Sequence, residues 1–485
     1  MAFSKKHAML RLVWTLLFLL PAACRQTQPD EEPAAPPVLV STTPSDGAAD
    51  LTGSNLTVVL TYDQNVKCPR SAQGGISAGT AVVESVHAYN KEVTVKLSGL
   101  QSGTSYTLTI PEGAVSGYRN NPAAAIRLTF SMKEVEPSVY PRNPAEILTD
   151  PAATPAAKAL YAKLLGYYGT KTLSGAMGGT AWDTSYTDYI ASLTGEYPAI
   201  VGFDYLFLDW PPDSWDTCPD YGDITPVRNA WTAGSIIQIG WHWAVPPAEG
   251  TTDLNTYSFY SKMVPAFKAD AALTEGTWQN RIMKAQIAKL AGFLKLLQEA
   301  GIPVLFRPLH EAAGDYTYGA WFWWGTDGGP ALIRLWQYLR DQLTETYGLH
   351  NLIWVFTVQT SDKGQLADVG KLREWYPGDN YVDIVGADLY VPKNSTQAGA
   401  FQLVNASVYG RKMVVLSEFG NLLDIDGFFA ADAPWGYFMN WYNFENGQPV
   451  LYARNADGGY IWNNTATDWK NALSNIHTLN RDDLK

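Results

Sequence analysis

The sequence predicts an α/β fold, a (β/α)8 TIM barrel, preceded by a small all-β sandwich. Three observations predict it. Over about 330 residues from Ala153 onward, short apolar runs alternate with stretches of helical spacing, as repeated βα units do. Several of those runs end abruptly in a reactive side chain, and barrel strands carry their active sites at that end. Ahead of them, from about Val38 to Met132, short alternating runs are broken by Asp46-Gly47, Gly74-Gly75 and Asn120-Asn121-Pro122, which reads as strands joined by turns. A chain of 485 residues has room for both parts, and its 46% hydrophobic content fills a large core.

Taken in order, the chain opens with Lys5, Lys6 and Arg11, an apolar run over residues 12–20, and then LPAAC ending at Cys24. The run is too short to span a bilayer, and small residues before a lone cysteine resemble a bacterial lipoprotein cleavage site. The expectation is a signal peptide over residues 1–23 and lipidation of Cys24. The secreted protein would be held at the outer membrane, on the cell surface or the periplasmic face. Residues 24–37 are polar and proline-bearing and read as a tether. Runs at 56–62, 93–99, 105–111 and 126–131 alternate or nearly so, and about seven strands in about 95 residues predict a sandwich over residues 38–133. Within it, STTPSDGAADL and TLTIPEGAVSG resemble bacterial immunoglobulin-like domains of cell-surface proteins; the domain reads as a spacer, and a carbohydrate-binding role stays open. His87 and Tyr89 there read as ordinary surface or edge residues. Residues 134–149, with Pro137, Pro141 and Pro144, read as a linker, and residues 150–485 as a catalytic barrel.

The expected barrel strands are residues 172–177, 199–203, 235–243, 302–308, 352–358, 382–388, 413–418 and 459–462. Helices are expected at 153–168, 281–300, 331–347, 365–375, 395–408 and 437–444. The fourth run, Pro303 to Phe306, lies between Gly301 and Pro308 and reads as a buried parallel strand. Arg307, His310 and Glu311 follow it, and then Trp321, Phe322, Trp323 and Trp324. A carboxyl group among aromatic rings loses solvation, so its pKa rises toward what a general acid needs at neutral pH. The rings also offer flat apolar faces that suit a sugar. The seventh run, MVVLSEFG, ends with Glu418.

RPLHE followed by WFWWG, with a second glutamate three βα units on, resembles glycoside hydrolase family 26, the β-mannanase family of clan A. The resemblance implies that Glu311 is the acid/base and Glu418 the nucleophile of a double displacement with retention. That route needs the two carboxyl groups about 5–5.5 Å apart. The resemblance also implies mannan, galactomannan or glucomannan as substrate. It assigns substrate contacts to His242, which alternation places opposite Trp241 and Trp243, and to His310. At the sixth strand it assigns Asp388 to a sugar hydroxyl and Tyr390 to a hydrogen bond with Glu418. Trp321 would face the cleft, and Trp462, after the eighth strand, would be the stacking floor.

Composition sets the exclusions. A net charge of −12 argues against nucleic acid and is compatible with a neutral polysaccharide. Cys68 and Cys218 are expected as free thiols, since no CxxC pair occurs. Gly314 breaks an HExxH pattern, so no metal is implied, and no nucleotide loop is present, so no cofactor is expected. A monomer is the default. The long loop over residues 205–234 carries Trp210, Trp215, Tyr221 and Trp231, which could wall off one end of a cleft. An open cleft gives endo cutting and a blocked one gives release of mannobiose; the sequence leaves both open. A β-glucanase or xylanase of the same family also stays open. So does a non-catalytic glycan-binding surface lipoprotein, although two carboxylates argue against it.

Overall fold

The computed structural model describes residues 35–53, 55–100, 104–133, 140–212, 214–315, 319–361 and 365–485. The expected signal peptide, Cys24, most of the tether and the first part of the linker lie outside them. The chain divides into two compact units, Met1–Glu136 and Pro137–Lys485.

In the first unit, seven strands form two sheets. One sheet has the order Leu39–Thr43, Leu56–Tyr62, Glu92–Ser98, Val82–Tyr89, and the other Ala48–Leu51, Ile126–Met132, Ser105–Ile110. Alternation builds the core. Val58, Leu60, Val93, Val95, Leu108 and Leu128 are each at most 1% exposed and cluster together, while intervening residues face outward. His87 and Tyr89 are exposed on an edge strand.

The second unit is a closed parallel barrel. Its strands are β1 (Thr172–Met177), β2 (Ile200–Asp204), β3 (Ile236–Trp241), β4 (Val304–Pro308), β5 (Leu352–Ser361), β6 (Ile384–Leu389), β7 (Met413–Phe419) and β8 (Tyr437–Asn440). Each pairs with the next, and β8 pairs with β1. Both faces are covered, which is why the strands read as unbroken apolar runs. Along β4, Leu305 joins an inner cluster with Ile353, Ile384 and Met413, while Val304 and Phe306 join the cluster beneath the helices. The longest described helix, Trp278–Glu299, starts where the Thr277 hydroxyl accepts from the Asn280 N–H at 3.0 Å. It buries Met283, Ile287, Leu290, Leu294 and Leu297 along one face.

Three expectations need correction. The eighth strand is Tyr437–Asn440, where the sequence suggests a helix over 437–444, and not residues 459–462. Four buried residues after Gly436 are too few to display a period. Tyr460–Asn463 is indeed extended, but it pairs antiparallel with Tyr452–Arg454 in a hairpin separate from the barrel sheet. Second, residues 140–149 are not a free linker. The Asn143 and Ala145 N–H groups donate to the Gly410 and Arg411 carbonyls at 2.8 and 3.1 Å, and the Thr149 N–H donates to Asp383 at 2.7 Å. Third, the loop after β2 ends at the helix Thr225–Thr232. Trp231, in that helix, borders a cleft with Leu160, Ile236 and Leu484 at the amino-terminal end of the barrel, away from the strand ends that carry the carboxylates. Tyr221 is buried against Trp182 and Tyr205. The Asp209 carboxylate accepts from Gln286 at 2.5 Å, which ties the loop to the helix Trp278–Glu299. No described helix is long and apolar enough to cross a membrane.

Candidate active site

The site forms where β4, β6 and β7 end. After Pro308 the backbone turns through two left-handed residues, Leu309 at φ 51° and Glu311 at φ 50°. Such residues cost about 1–3 kcal/mol each and persist only where surrounding contacts impose them. Here the Glu311 N–H donates to the Thr357 carbonyl at 2.9 Å, and the Glu311 carbonyl accepts from Gly314 at 2.8 Å. At Gly314 a Cβ would lie 1.8 Å from the Gly319 carbonyl oxygen, so only glycine fits. The turn aims Glu311 into the barrel mouth, where it is 7% exposed. Glu418 on β7 and Asp388 on β6 converge on it. One oxygen from each of the three carboxyl groups lies within 4.8 Å of the others.

Arg307, at the end of β4, binds this cluster. Its Nη1 donates to Glu418 Oε2 at 3.1 Å, its Nη2 to Asp388 Oδ2, and its Nε to Thr357 Oγ1 at 3.1 Å. The Tyr390 hydroxyl donates to the other Glu418 oxygen at 2.5 Å, and Ser417 Oγ donates to Asp388 Oδ1 at 2.8 Å. Asp388 is fully buried with both oxygens bonded to protein, so it faces its own scaffold more than a sugar. The three carboxyl groups are the one set among the described residues with a metal site's ligand count. A guanidinium already bonded to two of them disfavours a second cation.

Burial, then the charges of Asp388 and Glu418, hold the Glu311 pKa well above the ordinary carboxyl range, against the opposing pull of Arg307. Burial also pushes Asp388 up to about 7, although Arg307 opposes it. With Arg307 bonded to Asp388 and Glu418, the proton that this cluster retains belongs on Glu311. Burial and then Glu418 raise the Tyr390 phenol, which therefore stays a donor. Burial would weaken the Arg307 charge, but Asp388 and Glu418 more than offset this.

This arrangement has a measurable cost. A carboxyl whose native pKa exceeds its unfolded value binds more protons when folded, so stability falls as pH rises between the two values. Glu311→Gln cannot ionise, so the variant should escape that fall. Melting followed from about pH 5 to about pH 8 should show its advantage over the wild type growing with pH, to about 2 °C. A difference that stays flat with pH would mean that Glu311 is not the buried proton carrier.

At the end of β3, Trp241 and Trp243 stack at 3.8 Å on one side, as alternation requires, and His242 points to the other. Its Nδ1 lies 2.7 Å from Asp204 Oδ2, and its ring centroid is 4.4 Å from that of His310. His310 is 2% exposed and its Nδ1 is unpartnered. Burial, then Arg307 and His242, keep its pKa well below the ordinary histidine value.

The aromatic run divides between roles. Trp323 and Trp324 are fully buried, their Nε1 groups donating to the Trp243 and His310 carbonyls at 2.8 and 2.9 Å. They are packing rings that hold the His310 turn. Trp321 is the half-buried member. Trp462 is 2% exposed and packs against Gly420, where a Cβ would lie 2.7 Å from its ring. The tryptophan that does follow the eighth strand is Trp441, half-buried, with its ring 5.5 Å from that of His242.

Sequence reasoning missed Asp204, Thr357, Ser417, Tyr260 and Trp441. Asp204 ends β2 just as the recognised residues end their strands. Tyr260 is 49% exposed, packs on Phe259 and Phe322, and has its phenol pKa raised by burial, then Glu311 and Glu418.

A closed (β/α)8 barrel with paired buried carboxyl groups, one just after its fourth strand and one on its seventh, is the architecture of carboxylate-dependent glycoside hydrolases. Residues 149–458 match the model of glycosyl hydrolase family 26, and the chain belongs to that family. Residues 33–132 match a bacterial Ig-like domain. The mannan endo-1,4-β-mannosidase B of a Piromyces species is 35% identical over 305 residues, covering 61% of this chain and 48% of that protein. The mannan endo-1,4-β-mannosidase of Thermothelomyces thermophilus is 30% identical over 374 residues, covering 73% of this chain and 71% of the relative. The chain thus spans about half the length of the Piromyces protein. Among solved structures, the family 26 domain of an endo-β-mannanase/endo-β-glucanase from Prevotella bryantii is 33% identical with a TM-score of 0.60, covering 70% of this chain and all of that one. A ruminal family 26 endo-β-1,4-mannanase is 26% identical with a TM-score of 0.59, covering 90% and 91%.

Proposed function

We propose that the protein is a retaining endo-β-1,4-mannanase acting on mannan, galactomannan or glucomannan. The observation that carries the reading is the approach of Glu311 and Glu418 to within 4.8 Å, oxygen to oxygen. Oxygens this close fit the roughly 5–5.5 Å separation of a retaining pair better than the about 6.5–9.5 Å at which inversion leaves room for a water. The names of the relatives supply the mannan preference.

In the first step a Glu418 oxygen attacks the anomeric carbon while the glycosidic C–O bond breaks. The leaving oxygen takes the Glu311 proton. Arg307 and Tyr390 each donate to one Glu418 oxygen and hold the carboxylate aimed. In the second step the Glu311 carboxylate takes a proton from water, the oxygen bonds to the anomeric carbon, and Glu418 departs. Neither step calls for a cofactor. His242, His310, Trp321 and Trp441 border the space where the sugars would lie.

The test is a reducing-end assay of the purified protein on linear mannan, galactomannan, glucomannan, xylan and mixed-linkage glucan, with products sized over time. A ladder of short manno-oligosaccharides, released first as β-anomers, is expected. Mannobiose alone from the start would replace endo cutting with exo release. Activity on xylan or glucan alone would overturn the substrate, and bound glycan with no new reducing ends would make the protein a binding module.

We also propose export and anchoring through a lipidated Cys24, on the pattern of residues 1–24, with the chain acting as a monomer. Membrane fractionation checks the anchor, and sedimentation the monomer.

A further inference from the structure

Asp204 belongs to no step described so far, yet it is built into the site. It ends β2, opposite Gly240 on β3 in the parallel register. Both of its oxygens serve one residue. Oδ1 accepts the His242 backbone N–H at 3.0 Å, and Oδ2 lies 2.7 Å from His242 Nδ1. Gly240 makes the room: a Cβ there would sit 2.6 Å from Oδ2. The Asp204 side chain is only 8% exposed, and that of His242 keeps 12%. His242 Nε2 has no partner among the described residues.

The groups facing His242 come from every neighbouring strand end. Asp204 on β2 and Glu418 on β7 favour its charged form, while Arg307 on β4 opposes it. His310, 4.4 Å away, is held neutral. The Tyr442 phenol after β8 is kept protonated by burial, then Asp204 and Glu418. Phe259, Phe322 and Trp441 complete the wall with uncharged rings. Burial, the largest single influence, pushes the His242 pKa down, but the Asp204 charge, its hydrogen bond and the Glu418 charge together hold it above the ordinary histidine value.

We propose that Asp204 is a positioning residue for the reaction: it holds His242 as an imidazolium whose Nε2–H, facing the cleft, donates to a hydroxyl of the sugar at the scissile bond. The two stacked imidazoles then divide the work. His242 carries the proton and His310 stays neutral, since two cations at this separation would repel each other. One carboxylate oxygen on Nδ1 and the other on the backbone N–H fix both the rotamer and the protonation of the ring.

The proposal rests on the hydrolase reading, so its test has one arm that needs no substrate. The protein has six histidines, and ¹⁵N-histidine NMR of the whole chain resolves their protonation. His242 is assigned by the resonance lost in H242Q. The expected result is a ring protonated on both nitrogens at pH 7, with its midpoint lowered by about one to two pH units in D204N. A neutral His242 at pH 7 in the wild type overturns the proposal whatever the substrate proves to be.

The second arm follows kcat/KM against pH on a 2,4-dinitrophenyl β-mannobioside. Its leaving group needs no acid, so Glu311 drops out of the alkaline limb. D204N should move that limb down by about the same one to two units, and D204E should restore part of the shift. A uniform loss at every pH, with the limb unmoved, would reduce Asp204 to a structural contact. No turnover of this substrate by the wild type, with the NMR result intact, would count against the hydrolase reading and leave the Asp204–His242 pairing standing.

Discussion

Replacing Glu418 with alanine is expected to lower kcat by a factor on the order of 10⁵ on every substrate, including aryl glycosides with activated leaving groups. No leaving group, however good, supplies the missing nucleophile. The neighbours make the loss specific to that atom group. Arg307 would keep its bonds to Asp388 and Thr357, so the guanidinium should stay in place. Tyr390 loses its side-chain acceptor, but its backbone N–H keeps its bond to the Ser361 carbonyl at the end of β5 at 2.8 Å. The alanine variant should therefore fold, and its circular dichroism and melting should stay close to those of the wild type. Added azide distinguishes the role further. The vacated face of the sugar is the one that Glu418 attacks, so azide entering there yields the α-glycosyl azide, of inverted configuration. A β-glycosyl azide from this variant would mean that Glu418 is not the nucleophile, and the roles of the two glutamates would have to be exchanged.

What the sequence reveals of this site, and what it hides, follows from how a parallel barrel is built. Strands covered on both faces are apolar throughout, so a polar residue at the end of such a run is conspicuous. Glu311, Glu418, Asp388 and Tyr390 were legible for that reason. The same logic applies to Asp204, which closes the run from Ile200, but its partner His242 is 38 residues away and only the register shows that they meet. Thr357 and Ser417 were hidden for another reason. The ladder shifts between Thr357 and Thr360, between Ala387 and Asp388, and between Leu416 and Phe419. Bulges at these strand ends break simple alternation and turn adjacent residues toward the same cluster. The eighth strand is too short to declare itself, so its tryptophan, Trp441, passed unnoticed. Trp462, in a more strand-like segment, took its place. Arg307 was visible as a charge after an apolar run, but its pairing with two carboxylates at once is a property of the closed barrel alone.

Glu311→Ala should behave in the opposite way to the nucleophile variant, because what it removes is a proton and not a bond. On mannan, where the leaving sugar hydroxyl is a poor leaving group, kcat/KM should fall by a factor on the order of 10³–10⁴. On 2,4-dinitrophenyl β-mannobioside, kcat/KM should fall by less than about tenfold, because the departing phenolate needs no protonation. The second step should then become limiting. Without the Glu311 carboxylate no base activates water, so the glycosyl-enzyme on Glu418 should accumulate, visible as a burst of phenolate followed by slow turnover. Azide needs no base and enters from the Glu311 side. It should speed the slow phase and yield the β-glycosyl azide, of retained configuration. Two features of the structure make this contrast sharp. Burial, then Asp388 and Glu418, hold this carboxyl well above its ordinary range, which suits it to the acid role that the substitution tests. Its left-handed backbone at φ 50° is held by Thr357 and Gly314 through main-chain bonds, which the substitution leaves intact. Equal losses on mannan and on the activated substrate would show that the proton comes from elsewhere. Asp388 would then be the group to test, since burial pushes its pKa up to about 7.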